Sequence, residues 1–367
     1  MKLILICSTF VIGFAVLPQC NGSLELCNKK YNEVAYLTTH NSYSAAASGF
    51  ALPNQNISII DQLNSGVRGF MLDVYDLLGT PTVYHGSFLL GSEPLSNNLN
   101  AIEQFLNTNP NEIITIIFEC YVSANAIESE INGSGLNNYL FEKLPGIEWP
   151  TLQEMIDNNQ RLVILSDEND ASANQGWYHY VWDLAVETHF SVNDPADFNN
   201  EFNRGDSLND LFIFNHFITN LGIGDETTAG IVNEYEFLMS RINENYNATG
   251  KFPNFITLDF VDQGDGLDVV NALNSNSLYT HELNNNADEF SIYPNPAHEW
   301  VSIILPNSSL NSYDIIVYDQ SGKQIIGYTD YKQDRLKIET KSYKHGVYYV
   351  AIRNGSRRLK ITQLVIK

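Results

Sequence analysis

Ile113-Ile114-Thr115-Ile116-Ile117-Phe118-Glu119 is a β-branched, apolar run without alternation, and it stops at a carboxylate. A strand with one wet face alternates; an uninterrupted apolar strand is buried on both faces, as in a parallel sheet covered by helices. The same form recurs at Val34-Ala35-Tyr36-Leu37, Val67 to Val74, Thr82-Val83-Tyr84, Leu162 to Leu165, Leu211 to Phe214 and Phe255 to Phe260, and Tyr180 to Phe190 holds one more. Such runs between helical or loop-like stretches predict an α/β fold, a (β/α)8 TIM-like barrel.

Many of these runs end in a polar or ionisable residue: His40, Asp73, His85, Glu119, Asp167, Asn215 and Asp259. In a barrel the C-terminal strand ends meet on one face, where active sites of this fold lie. A strand often ends at a polar residue for no functional reason; the repetition is what points to a site. Asp73 and His85 are too close for an intervening helix, so a bare loop is expected between them.

With 367 residues, the chain has room for one large domain and a small one, and 44% hydrophobic residues supply a core. A formal net charge of -23 argues against nucleic acid as a partner and against adhesion to anionic membranes. Met1-Lys2, the apolar run Leu3 to Leu17 and the small residues near Gly22 read as a signal peptide over residues 1–22. No later stretch reaches the ~18 apolar residues of a transmembrane segment. A secreted or surface-attached protein is expected. Of four cysteines, Cys7 and Cys20 fall in the signal, which leaves open a bridge between Cys27 and Cys120 in a compartment that permits disulfides.

The barrel is expected over residues 23–270. Asn271 to Glu289 is rich in Asn and Ser and reads as a linker. Over residues 290–367 the pattern changes to short alternating strands split by turns, which predicts a small all-β sandwich. Arg204-Gly205-Asp206 precedes a strand and gets no adhesion role; Asp262 to Asp268 reads as a turn, because Leu273 stands where a calcium loop needs a glutamate.

Tyr293-Pro294-Asn295-Pro296-Ala297, Val317-Tyr318-Asp319-Gln320-Ser321-Gly322-Lys323 and Gly346-Val347-Tyr348-Tyr349-Val350, in that order at the C-terminus, resemble the type A sorting domain of the type IX secretion system. The resemblance implies export by that machinery. Thr39-His40-Asn41-Ser42-Tyr43, Gly66 to Asp73 and Tyr84-His85-Gly86 resemble the X domain of phosphatidylinositol-specific phospholipase C, with further matches at Ile117-Phe118-Glu119, Gln160 to Val163 and Ile256 to Phe260.

That second resemblance implies a phosphoric diester hydrolase acting on a phosphodiester lipid or its headgroup. The inositol 2-hydroxyl attacks the neighbouring phosphate, with His40 as general base, His85 as general acid and Asp259 holding the His40 imidazole. Metal-independent relatives carry an arginine where this chain has Tyr75. Calcium-dependent ones use an asparagine, a Glu-x-Asp pair and a further glutamate; this chain keeps Asn41, Asp73 and Glu119 but has Met71 for the first glutamate. Water completing the shell of three oxygen ligands implies Ca²⁺ or Mg²⁺ there. Headgroup contacts are expected from the loops Ser42 to Ile57 and Gly86 to Leu95. Met71 leaves a silent barrel that binds headgroups or glycans as the alternative, beside an enzyme of glycerophosphodiesterase or sphingomyelinase D type.

Overall fold

The computed structural model describes residues 19–170, 176–220, 223–275, 291–305, 312–320, 323–333, 335–354 and 357–367. Signal residues Met1 to Pro18 and linker residues 276–289 lie outside them, as do Ser321 and Gly322 of the tail. Two compact units divide the chain, Met1–Ser275 and Asn276–Lys367.

In the first unit the sheet grows outward from Tyr36–Thr39. On one side lie the parallel strands Gly69–Leu77, Ile114–Cys120, Leu162–Ser166 and Tyr178–Tyr180; on the other lie Phe255–Leu258, Leu211–His216 and Ala185–Thr188. Phe202–Gly205 adds an antiparallel edge to Ala185–Thr188. The α/β class and the barrel-like curl are as expected, and the continuous apolar runs are buried on both faces; Leu162 to Leu165, for example, are inaccessible.

Two details depart from a regular eightfold repeat. The run at Thr82 is no stave: Thr80–Val83 turns back antiparallel on Gly69–Leu77, so a hairpin carries the chain from Asp73 to His85. The expected strand at Tyr180 to Phe190 is broken by one 3₁₀ turn, Val181–Asp183. Its first part, Tyr178–Tyr180, pairs with Leu162–Ser166, and its second, Ala185–Thr188, with Leu211–His216. One kinked segment thus rejoins the two edges of the curled sheet.

Helices cover the outside. Leu152–Asp157 starts at Thr151, whose hydroxyl accepts from the Glu154 amide while Glu154 reaches back, a reciprocal cap. Leu95–Thr108 buries Leu95, Leu99, Ile102 and Leu106 on one stripe. Helix Gly266–Asn274 takes in Asn271 to Asn274, which the linker reading had excluded, because Val270 and Leu273 are buried and Asn274 brackets both backbone groups of Ala35.

Beneath the strand ends, His216 is fully buried. Its Nε2 lies 2.8 Å from the Val232 carbonyl, and Arg241 donates to its Nδ1 at 2.8 Å and to the Asn215 carbonyl at 2.7 Å. Burial and the Arg241 charge hold this imidazole well below the usual histidine range.

The cysteines pair differently from the sequence reading: the bridge joins Cys20 and Cys27, and Cys120 is buried and free. Cys20 forms a tight turn with Ser23, and Cys27 sits on the next 3₁₀ turn, Glu25–Asn28, which brings their Cα atoms to 5.1 Å. Cys120 ends a barrel strand with its Sγ 3.3 Å from the Val122 carbonyl. Asn21 then ties the N-terminal turn to Ile113, accepting from its amide at 2.7 Å.

The second unit has a three-stranded sheet, Ser291–Tyr293, Trp300–Ile304 and Arg335–Glu339, and a four-stranded one, Gln324–Tyr331, Tyr313–Asp319, Gly346–Asn354 and Arg357–Ile366. Val301, Ile303, Ile315, Val317, Ile338 and Val350 meet in its core. This is the expected sandwich, with Ser291–Tyr293 and Gln324–Tyr331 as strands the pattern did not flag.

Residues 20 to 22 belong to the folded unit, so processing is expected before Cys20 rather than near Gly22. The mass of the exported protein should include Cys20, and an N-terminus beyond it refutes this; Cys27→Ser should cost about 2 kcal/mol of stability, as expected for so short a loop. A depressed histidine stays neutral in the folded chain while the unfolded chain takes up a proton below about pH 6.5, so stability is lost as pH falls. Between pH 6.5 and 5.5 the wild type should lose about 1 kcal/mol more in urea unfolding than His216→Gln. Equal losses would show that His216 titrates normally.

Candidate active site

The first and last parallel strands of the unit set one half of the site. Thr39 pairs with Leu258, and the His40 amide continues the ladder to the Leu258 carbonyl at 3.0 Å. The next residues on each strand, His40 and Asp259, therefore sit side by side, with His40 Nδ1 2.9 Å from Asp259 Oδ1. Asp259 is almost inaccessible. Phe217 lies flat on the imidazole, 3.9 Å between centroids at an interplanar angle of 5°. An N–H on Nδ1 directed at the carboxylate leaves Nε2 as the reactive nitrogen.

The other half comes from the neighbouring strand and its hairpin. His85 Nδ1 is 3.1 Å from Asp73 Oδ2. Asp73 is buried and His85 half-exposed, so this second imidazole has the same carboxylate support but an open face. Asp73 pairs in register with Glu119 on the next strand. Partial loss of hydration on the cleft side, and then the nearby Asp73 charge, push the carboxyl of the otherwise exposed Glu119 above its usual range, while the Tyr121 hydroxyl donates to it at 2.5 Å. Tyr75 stacks between Tyr84 and Tyr121 at 4.2 and 4.4 Å and forms an aromatic wall beside the two carboxylates. Its hydroxyl is pushed up to about 12, by burial first and then by Asp73.

Asn41 joins the halves. Its φ of 44° is left-handed, a conformation asparagine tolerates, and it turns the buried side chain back between the strands. Its Nδ2 faces Asn54 Oδ1 at 3.2 Å and His85 Nδ1 at 3.3 Å, and its Oδ1 faces Asp73 Oδ1 at 3.1 Å. Turning the amide over lets it donate to Asp73 and sets its oxygen 3.3 Å from both His40 Nε2 and His85 Nδ1, but leaves that oxygen 3.2 Å from the Asn54 oxygen. Asn54 cannot turn in compensation, because its Nδ2 donates to Asp259 Oδ2 at 3.0 Å. Two amides in a row between two carboxylates always leave one oxygen facing another. A hard cation or a proton relieves such a contact, so Asn41, Asp73 and Glu119 fit the divalent ion the sequence implies. Among the described residues no three His, Cys, Asp or Glu side chains gather as a metal cluster.

A cleft opens from His40 past Asp73 and Glu119 to Asp167, Arg204 and Asn215. Arg204, which the sequence offered only in a tripeptide without an adhesion role, is the one Lys or Arg among the described residues of its lining. Glu187 grips it from two sides, at 2.5 Å to Nε and 3.2 Å to Nη2, while Trp182 and Phe190 lie 4.4 and 4.8 Å from it. Asn54 was also missed, since nothing in its local sequence marks it. On the far side of His85 a second, apolar pocket is lined by Phe50, Leu52, Leu90 and Ile223. Beside it Phe88, Leu89 and Leu90 project from a single 3₁₀ turn, with Leu89 81% exposed. The sequence-derived residues thus converge: His40 with Asp259, His85 with Asp73, and Asn41 and Glu119 between and beside them. Of the two expected headgroup loops, Ser42 to Ile57 lines the second pocket with Phe50 and Leu52 and sends Asn54 and Gln55 inward, Gln55 donating to the His40 and Leu258 carbonyls at 2.9 and 3.0 Å.

The PI-PLC X 1 family model matches residues 26–274, and the secretion system C-terminal sorting domain matches residues 291–367. A PI-PLC X domain-containing protein of Arabidopsis thaliana is 31% identical over 263 residues, 64% of this chain and 60% of the plant protein, so the match spans well under the whole of that relative. PI-PLC X domain-containing protein 1 of Arthroderma benhamiae is 25% identical over 276 residues, covering 70% of this chain and 89% of its own. The solved phosphatidylinositol-specific phospholipase C of Listeria monocytogenes superposes with a TM-score of 0.48 at 17% identity, covering 68% of this chain and 95% of that one. No helix among the described residues is long and apolar enough to cross a membrane. By the match of residues 26–274, this chain belongs to the PI-PLC X domain family.

Proposed function

We propose that the chain is an exported phosphodiesterase of phospholipase C type that cleaves an inositol phospholipid or a related phosphodiester. The observation that carries this is the pair of imidazoles, each with Nδ1 on a buried carboxylate, at 2.9 Å for His40 and 3.1 Å for His85. Each carboxylate fixes the tautomer and orientation of its ring. His40 Nε2 takes the proton of the attacking hydroxyl, phosphorus exchanges its bond to the leaving oxygen for one to the attacking oxygen, and His85 protonates the oxygen that departs.

Asn41, Asp73 and Glu119 would hold a Ca²⁺ or Mg²⁺ ion, which when bound neutralises charge on the phosphoryl oxygens. Arg204 adds fixed positive charge to a cleft whose lining carries the carboxylates of Asp73, Glu119, Asp167 and Glu187. The apolar pocket next to His85 supports an apolar leaving group, since the acid must stand beside the oxygen it protonates. The sorting domain supports handling by the type IX secretion machinery.

Purified full-length protein is expected to release diacylglycerol from phosphatidylinositol in mixed micelles, and His40→Ala and His85→Ala should each lower kcat by about 10²–10⁴-fold. Wild-type rates in either variant would sink the mechanism. Binding without turnover across inositol lipids, glycerophosphodiesters and sphingomyelin, with Ca²⁺ or Mg²⁺ supplied, would instead make the barrel a silent headgroup binder. Leu89→Asp should raise the apparent KM for micellar lipid and leave a soluble phosphodiester unaffected; a loss on both substrates would remove the case for the apolar rim.

A further inference from the structure

Asn54 lies between the two halves of the site. Its side chain is 2% exposed, and its backbone is fixed on both sides: its amide donates to the Ser44 carbonyl at 2.8 Å and its carbonyl accepts from Phe260 at 2.8 Å. The polar head has no freedom either. Nδ2 donates to Asp259 Oδ2 at 3.0 Å, and a buried carboxylate admits only a donor there. Oδ1 must then face Asn41, 3.2 Å away. Gly224 packs over this contact so closely that a Cβ on it would come within 3.2 Å of both Asn54 Nδ2 and Asp259 Oδ2.

We propose that Asn54 is a positioning residue with two outputs, resting on the reading of His40 as base and of Asn41, Asp73 and Glu119 as a cation site. Its N–H end holds Asp259 in line with His40 Nδ1. Its oxygen end accepts the Asn41 N–H, which turns the Asn41 oxygen toward Asp73 as a ligand for a hard cation instead of letting the amide cap that carboxylate. Without Asn54, Asn41 satisfies itself by turning over and donating to Asp73, 3.1 Å away, and the cation loses one ligand while gaining a competitor. One amide therefore sets both the base and the cation site. Aspartate cannot replace it, because it would present an acceptor to Asp259. Leucine, close in volume, removes both bonds and fills the space.

The test uses the full chain and two variants, Asn54→Leu and Asn54→Asp, with thermal unfolding to establish that each folds. Calorimetric titration with CaCl₂ and MgCl₂ reads the cation site without any substrate. Proton NMR reads the downfield His40 Nδ1–H signal, assigned by its absence in His40→Ala. Expected are a tenfold or greater weakening of cation binding, broadening or loss of the His40 signal, and a lowered kcat at unchanged KM in both variants. Cation affinity, the His40 signal and kcat all at wild-type values in either folded variant would overturn the proposal. A wild type that binds neither cation removes the metal reading and with it the Asn41 output, so that assignment to Asn54 is refuted; the Asp259 output is then decided by the His40 signal, which needs neither metal nor turnover.

Discussion

The parallel pairing of Tyr36–Thr39 with Phe255–Leu258 is the constraint on which the rest of the site depends. His40 and Asp259 are 219 positions apart, and no local structure could bring them together. Closing so long a loop costs chain entropy that a single hydrogen bond cannot offset. The apolar runs that fill the unit offset it, since each strand is buried on both faces. The catalytic geometry is thus a by-product of strand register: Thr39 opposite Leu258 makes His40 and Asp259 neighbours, and a slip of one residue would send one of the two side chains to the other face of the sheet.

That dependence explains what the sequence made legible. Uninterrupted apolar runs ending in His, Asp or Glu expose both the buried strands and the face on which their ends meet, so His40, Asp73, His85, Glu119 and Asp259 could be named without coordinates. The register that pairs Asp73 with Glu119 is visible only in the structure. Thr82-Val83-Tyr84 shows where the reading fails. An apolar triplet looks the same as a stave or as the return arm of a hairpin, and only its pairing with Gly69–Leu77 distinguishes them. The cysteines failed for a related reason: a signal peptide was read to Gly22, although the turn at Cys20 is held by contacts to Asn111 and Ile113, far along the chain. Asn54 and Arg204 could not be singled out as site residues, because their contacts come from partners elsewhere in the sequence.

Charge decides how the cleft can work. Asp73, Glu119 and Asp167 face a common space, and both Glu119 and Asp167 are pushed above their usual range by restricted access to water, with Asp73 adding to each. Glu187 takes up two sides of the Arg204 guanidinium, so that cation is only partly available. A phosphodiester carries one negative charge and would enter a region already short of positive charge. Proton, cation or Arg204 must compensate, and Tyr75, standing where an arginine would have served, supplies no charge.

The same shortage appears in the hydrogen-bond pattern, independently of charge counting. Asp259, Asn54, Asn41 and Asp73 form a row with an acceptor-only group at each end and two amides between. Each amide has one donating and one accepting end along the row, so the donors fill two of three contacts however the amides turn. A fully buried row with one oxygen-to-oxygen contact costs stability unless something positive lies beside it. Because Asn54 is fixed by Asp259 on one side and by its own backbone on both, the unfilled contact lies on one side or the other of Asn41, toward Asn54 or toward Asp73. In either orientation the unfilled contact involves the Asn41 oxygen, which lies between the carboxylate of Asp73 and the amide of Asn54.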